Sequence, residues 1–90
     1  MKRAKVVVVW REGLHLRHAA ELVRVGHRFR SKISLECAGK IADLRSILSL
    51  ITLCATMGTA LNLEVKGEDE QAAAQAVQQA FLCCDSEDLS

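Results

Sequence analysis

The apolar residues of this chain change their spacing at Gly13. Before it, Val6 to Trp10 is a β-branched run of the length of a buried strand. Arg11-Glu12-Gly13 then turns the chain. After it, Leu16, Ala19, Ala20 and Val23 recur at i, i+3, i+4 and i+7, widened by Leu22, which predicts a helix from Leu16 to about Arg28. A strand handed to a helix through a glycine turn leaves His15 at the helix start, with Arg17 two positions on. The first N–H groups of a helix have no intrahelical partner, and its dipole favours negative charge there. With a guanidinium nearby, such a corner suits a phosphate. A neutral imidazole is also a competent nucleophile near neutral pH, so the feature points to phosphate held covalently as well as bound.

The remaining segments read in the same way. Lys32 to Cys37 alternates with period two, a strand with one buried face. Ala38-Gly39 is turn-like, and Lys40 to Leu44 returns as an antiparallel strand. Ser46 reads as the N-cap of a short apolar helix containing Ile47, Leu48, Leu50 and Ile51. Leu61, Leu63 and Val65 alternate with Asn62, Glu64 and Lys66 as the last strand. Gly67-Glu68-Asp69-Glu70 breaks it and opens a helix whose apolar face is Ala73, Ala76, Val77, Ala80 and Phe81. On the polar side of the first helix, Glu21 is expected to pair with Arg17 and Arg28.

The order is β-α-β-β-α-β-α, an α+β two-layer arrangement with helices on one face of an antiparallel sheet. Residues 1–84 read as a single domain and 85–90 as a polar, fraying tail. Twelve basic against eleven acidic residues leave a net charge of +1, which gives no basic face for nucleic acid. Trp10, Phe29 and Phe81 are the aromatic residues, too few for a base-stacking platform. No apolar run reaches the roughly 20 residues of a membrane span, and the N-terminus lacks a signal-peptide pattern, so a cytoplasmic protein without membrane insertion is expected. Cys37, Cys54, Cys83 and Cys84 match no common zinc spacing and read as free thiols, most of them filling space. Trp10 reads as core or loop packing and His27 as a solvated helix residue.

Gly13-Leu14-His15, Arg17 and Ala19, then Arg45-Ser46-Ile47-Leu48, then Gly67-Glu68-Asp69 closely resemble HPr, the histidine-containing phosphocarrier family of the bacterial phosphoenolpyruvate-dependent sugar phosphotransferase system. The resemblance runs from about Lys5 to about Phe81. It implies an open-faced sandwich with sheet order 1-4-2-3 and three helices on one face. It also implies that His15 accepts a phosphoryl group from phospho-enzyme I and passes it to enzyme IIA. The carrier is then a protein co-substrate rather than a small-molecule enzyme, with no cofactor and no metal. Arg17 would neutralise charge on the phosphoryl oxygens while helix N–H groups supply oriented dipoles.

In many family members the serine matching Ser46 is a substrate of HPr kinase/phosphorylase, a negative charge that would alter a docking face. Positions matching Ala20, Ile47, Leu48 and Ile51 form the family's shared docking surface, and a rim of Arg17, Arg24 and His27 favours acidic partner surfaces. A monomer is the simplest expectation.

Several positions depart from the family pattern. HPr commonly reads Gly-Leu-His-Ala-Arg-Pro, whereas Leu16 and His18 stand here, and Ser49 and Cys54 occupy positions that are commonly glycine. His18 restores a backbone N–H that proline lacks. Either that donor or the ring itself is expected to strengthen phosphate binding and slow onward transfer, against the simpler expectation of a helix-edge histidine facing water. The alternative function is an HPr-like regulatory binding module controlled at Ser46, with little or no transfer through His15.

Overall fold

A computed structural model of the chain describes residues 1–53 and 55–82. The expectations for Cys54, for Cys83 and Cys84 and for the tail from residue 85 lie outside the described residues. The elements are β1 (Lys2–Val7), α1 (Leu16–Gly26), β2 (Lys32–Cys37), β3 (Lys40–Asp43), α2 (Ile47–Thr52), β4 (Ala60–Lys66) and α3 (Glu70–Leu82).

β4 has the cleanest alternation in the chain and lies inside the sheet. It pairs antiparallel with β1 on one side and β2 on the other, and β3 closes the far edge, giving the order β1-β4-β2-β3. The register puts Val6 opposite Leu61 and Leu63 opposite both Ala4 and Leu35, with Leu35 in turn opposite Ala42. One face of every strand is therefore apolar, and it is this face that the helices cover. The other face is polar and open: Arg3 Nε lies 3.4 Å from Glu64 Oε2, and Asn62 Nδ2 donates to Glu36 Oε1 at 2.7 Å.

The first strand sits earlier than the apolar run suggests. Pairing with β4 covers Lys2–Val7, and Val8 continues it only through loop contacts, donating to Thr59 O and accepting from Gly58 N–H. Nor is the segment buried on both faces. Val6, Val8 and Trp10 are buried while Val7 and Val9 are exposed, so it alternates like the others. A run of valines hides that alternation because both faces carry the same residue type.

The helices bury stripes set by their spacing. Ala19 and Leu22 of α1 and Ala73, Ala74, Val77 and Phe81 of α3 join Leu50 of α2 in one core with the inner face of the sheet. On the solvent side of α1, Glu21 Oε1 lies 3.8 Å from Arg24 Nη1. That pair replaces the expected partners Arg17 and Arg28 among the described residues. Cys37 is a free, partly buried thiol packed against the core, as expected of a space-filling cysteine.

Asp69, just before α3, ties that helix to the start of β2. Its carboxylate accepts from the Arg30 and Ser31 N–H groups, each at 2.9 Å, and from the hydroxyl of the fully buried Ser31. The Ser31 hydroxyl first, then the Arg30 amide, hold the Asp69 carboxyl below its ordinary range. A lowered folded-state pKa adds stability that is complete above the unfolded value, about 4 for a carboxylate, and is lost as pH falls through the folded value. Thermal melts recorded from pH 6 down to pH 2 should therefore show a falling midpoint, and Asp69→Asn should flatten that acid slope while lowering the midpoint at pH 6.

Candidate phosphoryl-acceptor site

Between β1 and α1 the chain must reverse in a few residues, and Gly13 makes the reversal. Its N–H donates to Trp10 O at 2.9 Å, closing a turn, and its φ of 79° lies in the left-handed region that glycine tolerates. The next amide, that of Leu14, donates to Ala55 O at 2.9 Å, and the Leu14 side chain is buried. A Cβ on Gly13 would stand 2.5 Å from the Ala55 carbonyl oxygen. Gly13→Ala should thus cost about 1–3 kcal/mol from backbone strain alone, with the clash added, read as a drop in denaturant midpoint.

This clamp delivers His15 as the N-cap of α1. Its backbone is extended (φ −120°, ψ −169°), and its carbonyl accepts the first helical bond, from Ala19 N–H at 2.9 Å. No side chain caps this end, and the first turn carries no acidic residue. The amides of Leu16 and Arg17 precede that first bond and stand as donors at the helix's positive end.

The His15 side chain is 44 % exposed, and its Nε2 lies 3.8 Å from Glu12 Oε1, an ion-pair distance rather than a hydrogen bond. Nδ1 adjoins the ring carbon joined to Cβ and so lies on the main-chain side of the ring. Arg17 is exposed in the same first turn and lines a cleft of about 420 Å³ between α1 and α3, with His18, Glu21 and Arg28 also on its walls.

His18 does not face water. It is 8 % exposed and lies flat on Trp10, ring centroids 4.0 Å apart and planes 9° from parallel, with its ring 5.4 Å from that of His15 at 67°. Trp10 in turn packs on Phe81 at the end of α3, 5.1 Å away. Trp10 is buried, as core packing requires, but its contact with the site was not visible in the sequence. Glu12 was missed as well; its signal was local, an acid three residues before the histidine.

The second expected cluster lies on α2, which packs beside α1. Ser46 is its N-cap, with Oγ accepting from Ser49 N–H at 3.2 Å, so serine at position 49 is compatible with the helix. Arg45 holds this corner by donating from Nη2 to Phe29 O at 2.6 Å. Leu48 is 73 % exposed, Ile47, Ile51 and Ala20 are half-buried, and Arg24 and His27 are exposed. Leu16 and Met57 add further exposed apolar surface.

Among the described residues, no helix is long and apolar enough to cross a membrane. The profile of the PTS-HPr family, described as the PTS HPr component phosphorylation site, matches residues 2–82. Phosphocarrier protein HPr of Xylella fastidiosa is 33 % identical over 81 residues, covering 90 % of this chain and 91 % of that protein. The HPr-like protein Crh of Bacillus subtilis is 41 % identical over 73 residues, covering 81 % and 86 %. The solved histidine-containing phosphocarrier protein of Mycoplasma superposes with a TM-score of 0.85 at 26 % identity, covering 90 % of this chain and 92 % of that one. The sheet order, the histidine-capped helix and a family profile spanning nearly the whole described body agree: this chain belongs to the HPr family of phosphocarriers.

Proposed function

We propose that this protein accepts a phosphoryl group from phospho-enzyme I on Nδ1 of His15 and passes it to enzyme IIA of a sugar phosphotransferase system. The observation that carries this reading is a half-exposed histidine standing as the N-cap above the Leu16 and Arg17 amides, in a chain of the HPr family. The Nδ1 lone pair forms the new N–P bond as the bond from phosphorus to the donor's leaving atom breaks and its electron pair stays with the donor. The ring keeps its Nε2 proton, so positive charge develops on the imidazole, and Glu12 beside Nε2 stabilises it. Nε2 is the poorer acceptor because that same carboxylate repels an incoming phosphoryl group. The first-turn amides and Arg17 take the oxygens' charge in both directions, which suits a reversible step.

Onward transfer needs a docking surface, and the exposed Leu48 with Ile47, Ile51 and Ala20, rimmed by Arg17, Arg24 and His27, is the surface we assign to both partners. The test is incubation with phosphoenolpyruvate and purified enzyme I, followed by intact mass and then addition of purified enzyme IIA. One acid-labile phosphoryl group that leaves on addition of enzyme IIA supports the reading. No gain in mass overturns it.

The similarity to the HPr-like protein Crh supports a second reading, regulation through Ser46 by HPr kinase/phosphorylase. Ser46→Asp keeps an N-cap oxygen and should leave stability close to that of the parent, whereas Ser46→Ala should cost about 1 kcal/mol. If the serine is a control point, Ser46→Asp should also slow phosphoryl acceptance from enzyme I, and Ser46→Ala should not.

A further inference from the structure

His15 is an exposed side chain with two rotatable torsions, and its one ion-pair partner among the described residues lies at 3.8 Å. Such a ring samples several rotamers, and fixing one costs free energy that must come from elsewhere. Phosphoryl transfer is dominated by positioning and electrostatics, so a disordered acceptor ring transfers slowly. The structure offers one solid surface against it. His18, one helical turn on and hence on the same side of α1, presents its ring to that of His15 at 67°, the edge-to-face geometry aromatic rings favour.

His18 is itself held from behind. Its planar stack on Trp10 is backed by Phe81, which is 2 % exposed, so a column of rings runs from the end of α3 to the reactive imidazole. The indole Nε1 is buried without a hydrogen-bond partner among the described residues, an arrangement that costs stability. A phenylalanine would avoid that cost. The indole's broad flat face, rather than its polar atom, is what this position uses.

We propose that Trp10 is a positioning residue for phosphoryl transfer: stacked on His18, it fixes the wall against which the His15 ring is oriented. The inference rests on the phosphocarrier reading above and concerns how fast the acceptor works. Neither Trp10 nor His18 is among the docking residues proposed above, so the device should affect turnover rather than docking.

The experiment measures initial rates of phosphoryl transfer from phospho-enzyme I against carrier concentration, for the parent chain, Trp10→Leu, Trp10→Phe and His18→Leu. Both leucine variants should lower the maximal rate by about tenfold or more with an unchanged half-saturating concentration. Trp10→Phe, which keeps a flat ring, should recover most of the loss. In proton NMR spectra the His15 ring signals should move toward free-imidazole positions in both leucine variants, because the neighbouring ring no longer lies at a fixed angle.

If both leucine variants fold and match the parent in maximal rate and His15 ring shifts, the positioning role is wrong. The carrier reading would survive, since all the proteins would still take an acid-labile phosphoryl group. A parent chain that takes none removes both. Should Trp10→Leu fail to fold, His18→Leu alone decides: a lowered maximal rate supports the role and an unchanged one overturns it.

Discussion

His15→Ala protein incubated with phosphoenolpyruvate and enzyme I should gain no phosphoryl group, while His27→Ala should gain one as the parent does. The chain has three histidines, and their surroundings separate them. His27 is exposed at the C-cap of α1, where the helix end is negative and repels phosphate. His18 is only 8 % exposed and is held flat against Trp10. His15 alone combines exposure with the positive helix end. Removing the attacking atom removes the step rather than slowing it, so intact mass gives an all-or-none result. Labelling of His15→Ala at a rate near the parent's would move the acceptor elsewhere and sink the assignment.

Phe81→Ala should be the most damaging single change to the fold outside the sheet, costing about 3–5 kcal/mol. Phe81 is fully buried where α3 meets the core and is the last support behind Trp10. Truncating it deletes the transfer term for a large ring and leaves a cavity that neighbours fill only in part. A domain of this size has roughly 5–15 kcal/mol in total, so the variant should melt far below the parent and unfold at much lower urea. A midpoint shift of less than about 1 kcal/mol equivalent would mean that the end of α3 is not docked as described. Because the ring column would lose its base, surviving folded protein should also transfer slowly.

What was legible in the sequence was local. β2 matched its expected bounds because Lys32 to Cys37 writes its burial pattern in plain alternation. Ser46 matched its cap role because capping depends on residues three apart. The placement of His15 at the helix start was readable for the same reason, with the glycine before it and the apolar period after it. The start of β1 was not, since it is decided by pairing with Ala60–Val65, which periodicity cannot see. The link from Asp69 to Ser31 and the stack of Trp10 between His18 and Phe81 join segments far apart in the chain. His18 shows the difference sharply: helical position alone put it at the edge, and a tryptophan on another segment buried it.

The hydrogen bond from Leu14 to Ala55 ties the residue just before His15 to a stretch far downstream in the chain. If His15 is the acceptor proposed above, substitutions around Ala55 should change its rate of phosphorylation without any change to the imidazole itself, a lever on the site that lies outside the site.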